Sequence, residues 1–238
     1  MDRVFLTTQW RDLILANYAV EPSLLESHLP PGLELDLFDG RAVCSLVGFR
    51  FVDCRVLGVR WPGFVNFPEI NLRFYVRERA SGQRGVVFVR ELVRSRFVAL
   101  VARRLYNEPY SGAQIRERVE ATDGVLDAEY RFERGGATGC LSVRADAQPV
   151  VPSEDSAEHW FKEHQWGYGT NRKGALLRYE VQHPVWACHR VLESSVQVDW
   201  AGIYGEKWAG MNGAEPLSVM LAVGSGVSVR WGETVSAT

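Results

Sequence analysis

The sequence predicts an α+β protein that is mainly β: a curved antiparallel sheet, partly closed into a barrel, with two or three flanking helices. Residues 69–77 (EINLRFYVR) alternate between apolar and polar side chains, which is typical of a strand. Asp39-Gly40 separates two strand-like segments, as in a hairpin turn. Similar segments recur along the chain, and together they indicate about eight to twelve strands.

The composition indicates one well-filled domain over residues 1–238. With 46% apolar and 24% charged residues, the chain is neither disordered nor a disulfide-held miniprotein. The net charge of −2, with no basic stripe, argues against binding nucleic acid or an anionic membrane surface. No repeat or linker-like tract divides the sequence.

The first elements follow from local patterns. Residues 8–20 form an opening strand, and Pro22 is placed at the start of a helix over residues 23–28. Residues 33–38 and 41–52 are predicted to be the two strands of a hairpin around Asp39-Gly40.

The middle of the chain alternates between strands and one helix. Residues 86–89 form a continuous apolar strand, and residues 95–106 carry a helical stripe that ends before Pro109. Residues 115–150 are predicted to form two or three short strands, broken at 123–124 and 134–136 by Asp-Gly and Arg-Gly-Gly.

The last third starts with a helix. Asp155 is its predicted cap, with Glu158 three residues later, and the helix is expected to reach His164. Residues 174–191 are predicted to be one long strand region, and residues 217–231 alternate loosely as another.

The amino-terminal segment lacks the features of an export signal, and no apolar stretch has the length of a membrane helix. We therefore expect a cytoplasmic protein. The four cysteines form no C-x-x-C pair, which favours packed, reduced thiols.

Motifs for metals, nucleophiles and phosphates are missing. His159 and His164 are five residues apart, so on a helix they point in different directions and share no ligand face. The sequence contains neither Gly-x-Ser-x-Gly nor a phosphate-binding glycine loop. We therefore expect neither a metal nor another cofactor.

A row of polar side chains on one face of the strand at residues 69–77 is the first candidate site. Glu69, Asn71, Arg73 and Tyr75 place an acid, an amide, a guanidinium and a phenol side by side. The alternative is that this face meets water, whereas closure of the sheet would turn it inward.

A second candidate cluster follows the predicted helix at residues 95–106. It contains Arg103, Tyr106, Glu108 and Tyr110. The alternative interpretation is an ordinary helix end with solvated charges.

A third cluster combines aromatic side chains with histidines. The segment from His164 to Gly169 contains Tyr168, and His183 lies near Trp186. Such groups line pockets, although a buried histidine satisfied by a single backbone bond is the more common arrangement.

Three internal blocks and the opening segment resemble one known family. They are FPEINLRFYV, GVVFVRELV…ARRLYNEPY, HQWGYGTNRKGALLRYEVQHPVW and QWRDLILANYAVEPSLLESHLPPGLELDLFDG. The match runs in order over nearly the whole chain, to the uncharacterised bacterial family typified by YqjF. That family is similar to the acetoacetate decarboxylase superfamily, which implies a curved antiparallel β-barrel around a small-molecule pocket.

The resemblance does not carry over the decarboxylase chemistry. Those enzymes form an imine with a lysine that follows a proline, and Tyr110 follows Pro109 at the matching place here. Lys162, Lys173 and Lys207 have polar or glycine neighbours in sequence, so we expect no lysine to reach the pocket. The resemblance places Glu69 on the strand that carries a pocket carboxylate in the decarboxylases.

The leading hypothesis is therefore a pocket for a small anionic or carbonyl-bearing molecule, with lyase or hydrolase chemistry that uses no imine. The expected ligand contacts are Glu69, Asn71, Arg73, Tyr75, Arg103, Tyr106, Tyr110, Tyr168 and His183. One alternative is a non-catalytic interaction protein with an exposed apolar patch and no cavity; the other is an imine-forming decarboxylase. Assembly into a homo-oligomer stays open.

Overall fold

The computed structural model describes residues 4–94 and 109–235. These residues contain fourteen strands: β1 (Val4–Ala19), β2 (Leu33–Leu35), β3 (Val43–Val56), β4 (Phe67–Glu78), β5 (Arg84–Val93), β6 (Tyr110–Gly112), β7 (Gln114–Thr122), β8 (Val125–Arg134), β9 (Ala137–Val150), β10 (Trp166–Thr170), β11 (Leu176–Gln182), β12 (Cys188–Val198), β13 (Ser218–Arg230) and β14 (Glu233–Thr234). The described helices are α1 (Pro22–Glu26), α2 (Ala157–Lys162), α3 (Trp200–Tyr204) and a 3₁₀ helix (Glu206–Met211).

All fourteen strands belong to one curved sheet. Seven of them follow one another as β11-β10-β5-β4-β3-β1-β13, and two residue pairs between β11 and β13 return the path to its start. The remaining path, β12-β9-β8-β7, extends from β13 as a flanking layer. The mainly β, curved and antiparallel prediction is confirmed, with parallel exceptions where β10 and β6 pair with β5.

Strand β4 is buried on both faces and separates two apolar cores. Ile70, Leu72 and Phe74 pack into the core between the ring and the flanking layer, which also contains Tyr130, Leu141 and Trp208. The opposite face of β4 looks into the ring. The alternation in the sequence therefore separates two buried environments, and neither face meets water.

The turn at Asp39-Gly40 forms, but the hairpin prediction is wrong. Phe38 and Arg41 exchange two backbone hydrogen bonds around it, and both central residues have positive φ. Strand β2, however, pairs with β4 rather than β3. Because β2 and β3 are both antiparallel to β4 and adjoin it one after the other, they run in the same direction and cannot form a hairpin.

Several other boundaries differ from the prediction. Ser156 rather than Asp155 caps α2, since its hydroxyl accepts a hydrogen bond from the His159 amide, and the helix ends at Lys162. The region 174–191 contains two strands rather than one, separated at Pro184, which has no N–H to donate to a sheet. The described strands also exceed the expected eight to twelve.

Other expectations are met. Strands β7, β8 and β9 are connected by the two predicted glycine turns, although they are longer than expected. The four cysteines are free thiols, three of them buried. The helix predicted over residues 95–106 lies outside the described residues.

Candidate functional site

A cavity of about 150 Å³ lies inside the ring of strands. Each of the seven ring strands contributes lining side chains, and β6, α2 and the segments following β3, α2 and β11 contribute the rest. In another protein a cavity of about this volume holds one benzene molecule. The space therefore suits a small organic molecule.

Alternation along β4 places three polar side chains on the cavity wall. Glu69, Asn71 and Arg73 all line the cavity and are all buried. Successive side chains on one face of a strand are about 7 Å apart, so the row spans about 13 Å. Tyr75, the fourth residue of the predicted row, is buried outside the lining, where its hydroxyl donates to the Phe161 carbonyl at 3.1 Å.

Glu69 is an acid of the wall whose pKa is strongly shifted. Burial raises the pKa of its carboxyl to about 7, although two hydrogen bonds oppose that shift. The Asn71 amide donates to one carboxyl oxygen at 3.2 Å, and the Tyr110 hydroxyl donates to the other at 3.3 Å. Near neutral pH, Glu69 can therefore either hold or release a proton.

Tyr110 stands between two acids. It pairs with Glu91 in the short β5–β6 ladder, and Glu91 is the cross-strand partner of Asn71. Burial raises the pKa of the Tyr110 phenol, and the charges of Glu69 and Glu91 raise it further. Tyr110 therefore stays a neutral hydrogen-bond donor.

Arg73 and His164 bring unused hydrogen-bonding atoms to the cavity. Arg73 donates to the Phe161 carbonyl at 3.0 Å, while its Nε finds no partner among the described residues. His164 is 7% exposed, and within the described part of the chain both ring nitrogens lack a hydrogen bond. Burial and the charges of Arg73 and Arg84 hold the pKa of His164 well below its usual value, which keeps the ring neutral.

His183 lies at the rim of the cavity. Its ring stacks on Trp186 at 4.2 Å, and its Nδ1 lies 2.9 Å from the Pro184 carbonyl oxygen. His183 lines both the cavity and a neighbouring polar groove that includes Gln165 and Ser228. It therefore stands where the cavity meets the outer surface.

Comparison with known proteins identifies the chain's relatives. The DUF2071 family model, described as an uncharacterized conserved protein, matches residues 7–225. The chain belongs to the DUF2071 family. The uncharacterized protein YqjF of Bacillus subtilis (strain 168) is 28% identical over 187 residues, which cover 78% of this chain and 76% of YqjF.

Solved structures show that this DUF2071 protein has the acetoacetate decarboxylase-like fold. Acetoacetate decarboxylase from Legionella pneumophila superimposes with a TM-score of 0.68 at 14% identity, covering 98% of this chain and 87% of that one. An acetoacetate decarboxylase-like enzyme from Sphingomonas wittichii RW1 gives 0.69 at 12% identity, with coverages of 99% and 95%. The enduracididine biosynthesis enzyme MppR complexed with pyruvate gives 0.69 at 15% identity, with coverages of 99% and 91%.

One prediction about the DUF2071 cavity is wrong, because a lysine does reach it. Lys162 is 1% exposed, lines the cavity and forms an ion pair with Glu163. Lys162 lies at the end of the short helix α2 beside the buried Phe161 and not in an apolar strand, so its neighbours in sequence do not predict its place. Lys173 and Lys207 are exposed.

The predicted site residues of this DUF2071 protein divide into three groups. Glu69, Asn71, Arg73, Tyr110 and His183 come together at the cavity. Tyr75 and Tyr168 are buried away from it, and Tyr168 lies 3.4 Å from both a Glu78 carboxyl oxygen and the Gln83 carbonyl. Arg103 and Tyr106 lie outside the described residues.

The apolar lining of the DUF2071 cavity was not predicted. Trp10, Phe49, Phe51 and Phe67 form much of one wall. Trp10, Phe49 and Phe51 lie in segments that the sequence predicts as strands. Which face of a strand lines a closed ring, however, depends on long-range strand pairing, which the sequence pattern does not show.

The described residues contain no group of three or more histidine, cysteine or acidic side chains placed to hold a metal ion. Within the same residues, no helix combines the length and apolar character needed to cross a bilayer.

Proposed function

We propose that this protein binds a small carbonyl-bearing organic acid in the ring cavity and acts on it as a lyase, with Glu69 as the proton donor. The observation that carries this proposal is Glu69 itself, a buried carboxyl with a pKa near 7 on the wall of a ligand-sized cavity. An acid tuned close to neutral pH is the group that general acid–base catalysis requires.

Arg73 and His164 support binding of the ligand's carboxylate. The Arg73 guanidinium is positively charged, and its Nε is a buried donor without a partner among the described residues. The neutral His164 ring offers a further donor close by. A carboxylate placed here would satisfy polar atoms that are costly to bury unpaired.

Glu69 supports a lyase step next to a carbonyl group. When the bond between the carbon next to a carbonyl group and a carboxylate breaks, carbon dioxide leaves and the electron pair of the bond passes into an enolate. Protonated Glu69 would transfer its proton to the enolate carbon, while the positive charge of Arg73 stabilises the negative charge in the low-dielectric cavity. The carboxylate of Glu69 recovers its proton from water.

The structural neighbours add a chemical precedent. MppR binds pyruvate, an acid of the proposed class, in a fold of the same kind. A binding test with pyruvate is therefore the natural starting point.

Calorimetric titration with pyruvate tests the binding site. We expect binding to the unmodified protein and at least about a tenfold loss of affinity in Arg73→Met, since a hydrogen bond to a charged group contributes about 1.5–3 kcal/mol. Arg116→Met removes an exposed arginine and should leave the affinity unchanged. Equal affinity in Arg73→Met, or no binding to the unmodified protein, would refute the proposed site.

Proton exchange at the ligand tests the role of Glu69. In D₂O, the protein should accelerate exchange of the pyruvate methyl protons, and Glu69→Gln should slow that exchange by about 10²-fold or more. Exchange by Glu69→Gln at the original rate would contradict the assignment of Glu69.

The second candidate function is imine formation at Lys162, favoured by the unexpected position of that lysine on the cavity wall. Lys162 forms an ion pair with Glu163, and an ammonium group engaged in an ion pair is not a nucleophile. Borohydride reduction in the presence of pyruvate should therefore leave the protein mass unchanged. A covalent adduct that disappears in Lys162→Arg but persists in Lys173→Arg would favour the imine mechanism instead.

The interaction-protein alternative predicted a molecule without a sizeable cavity. The ring cavity contradicts that expectation. Six of the eight tryptophans are buried or half-buried, which leaves Trp61 and Trp231 exposed.

A further inference from the structure

The two sides of the ring cavity differ in chemistry, and the difference specifies the ligand's carbon side chain. We infer that the organic acid carries a branched apolar side chain of about three or four carbons, which packs against β1 and β3 while the acid and carbonyl groups face the polar row of Glu69, Asn71 and Arg73 on β4. This inference rests on the proposed function, and it names the substrate class of the same site.

Strand register shows how the lining is divided. Across from Glu69 on β4 lies Phe49 on β3, and across from Asn71 lies Val47. Farther along the same wall, Trp10 on β1 pairs with Phe51. Neighbouring strands are about 4.8 Å apart, so the polar row and the Trp10 side chain are separated by about 10 Å.

The apolar side of the cavity is built from packed aromatic rings. Trp10 meets Phe49 and Phe51 edge-on, with ring centroids 5.2 and 6.0 Å apart, and Phe51 stacks on Phe67 at 4.5 Å. Leu13 and Val47 complete this side. We call Trp10, Leu13, Val47, Phe49 and Phe51, together with Phe67 at the start of β4, the aromatic wall.

A small polar acid leaves the aromatic wall unused. Pyruvate carries only one methyl group beyond its carboxylate and carbonyl, so bound over β4 it cannot extend across β3 toward Trp10. Water is a poor substitute there, because apolar surfaces offer it few hydrogen-bond partners. An apolar side chain on the ligand would be transferred from water into contact with the rings.

The cavity volume limits the size of that side chain. In a cavity of about 150 Å³, a phenyl ring added to an oxo acid would take up more of the space than a side chain of three or four carbons does. A branched acid of five or six carbons combines the polar groups with an apolar part that the wall can cover.

A homologous series of 2-oxo acids tests the inference by calorimetry. The probes are pyruvate, 2-oxobutanoate, 3-methyl-2-oxobutanoate and 4-methyl-2-oxopentanoate. Burial of each methylene contributes about 0.8 kcal/mol, which is about fourfold in Kd. We therefore expect the six-carbon acid to bind roughly fiftyfold more tightly than pyruvate.

Matched variants locate the effect. Phe49→Leu replaces one ring of the aromatic wall with a smaller aliphatic side chain. Phe74→Leu makes the same change on the face of β4 that points away from the cavity. Phe49→Leu should reduce the preference for the six-carbon acid over pyruvate at least about threefold, while Phe74→Leu should leave that ratio unchanged. Because the affinities for the six-carbon acid and for pyruvate are compared within the same variant, a general loss of stability would affect both and leave their ratio unchanged.

The possible failures are distinguishable. Equal affinities along the series, or a ratio that Phe49→Leu does not alter, would overturn the inference and leave the proposed function intact. Binding of neutral 4-methyl-2-pentanone without binding of any acid would support the aromatic wall but contradict the carboxylate site. Absence of binding by every probe would overturn both.

Discussion

Glu69 combines two properties that seldom occur together in a structural residue. It is 2% exposed, and among residues 4–94 and 109–235 its side-chain hydrogen-bond donors are the neutral groups of Asn71 and Tyr110. Neutral donors offset little of the cost of burying a carboxylate, which is why burial raises the pKa of the group to about 7. The folded protein therefore loses stability when Glu69 ionises.

The pH dependence of stability follows from that shift. Because the folded pKa of about 7 lies above the ordinary value of 4.5, stability falls as pH rises between those values and is unaffected by this group below them. The loss amounts to about 3 kcal/mol, and Glu69→Gln should remove it. Urea unfolding at pH 4.5 and pH 8 measures the difference between the two proteins.

An exposed acid provides the control for this measurement. Glu120→Gln should change stability by the same small amount at both pH values. If the unmodified protein and Glu69→Gln show parallel stabilities across the range, Glu69 is ionised without penalty and is not the neutral-pH acid that the lyase step needs.

For single residues, the sequence predicted the site correctly where the residues lie on one face of the same strand. Glu69, Asn71 and Arg73 could be grouped because a strand repeats every two residues, and closure of the sheet then turned that face inward. Lys162 was missed as a cavity residue, and His164 was named in the third cluster but not among the expected ligand contacts. Their places depend on how α2 packs over the ring, which local sequence does not encode.

The element that most directly controls the site outside the sheet is α2. This helix has six residues, and its end places Phe161 and Lys162 against the cavity side of β4. The Phe161 carbonyl accepts hydrogen bonds from both Arg73 and Tyr75, which ties the helix to the polar row. A helix this short has little intrinsic stability and depends on such tertiary contacts and on its cap.

Removing the cap should therefore affect binding as well as stability. In Ser156→Ala, the His159 amide loses its acceptor, at a cost of about 1 kcal/mol. Because α2 positions the carbonyl that holds Arg73, we expect the affinity for pyruvate to fall several-fold, as measured by calorimetry. Ser194→Ala on β12 removes an exposed serine and should change neither property. Unchanged pyruvate affinity in Ser156→Ala would show that α2 does not organise the site.

Element types were more predictable than element partners. The period-two pattern at residues 69–77 and the glycine turns between β7, β8 and β9 are local features, and the structure contains them. The partner of β2 is set by long-range pairing, because β2 and β3 both pair with the same edge of β4. Strand β3 pairs with the first part of β4, and β2 pairs with its last residues. A favourable turn at Asp39-Gly40 could not decide between those pairings.

For the whole molecule, the ring explains why a protein with so few helices can enclose a cavity. The seven ring strands and β6 contribute to the cavity wall, and only two residue pairs, Val181 with Val229 and Gln182 with Ser228, join β11 to β13. The flanking layer covers the other face of the ring with the second core. That one sheet runs through both parts is compatible with a single domain over residues 1–238, which stays a prediction, as does the cytoplasmic location.

A ligand inside the ring would contact strands from both sides of the closure and would therefore stabilise the whole fold. At a concentration of 100 Kd, binding to the folded state alone adds about 2.7 kcal/mol, equivalent to about 5–10 °C in Tm for a chain of this size. We expect 4-methyl-2-oxopentanoate to produce such a shift in a thermal melt. In Arg73→Met the same concentration should produce a much smaller shift, while Arg116→Met should respond as the unmodified protein does. An equal shift in all three proteins would place the ligand outside the cavity, since Arg73 lines the cavity and Arg116 does not.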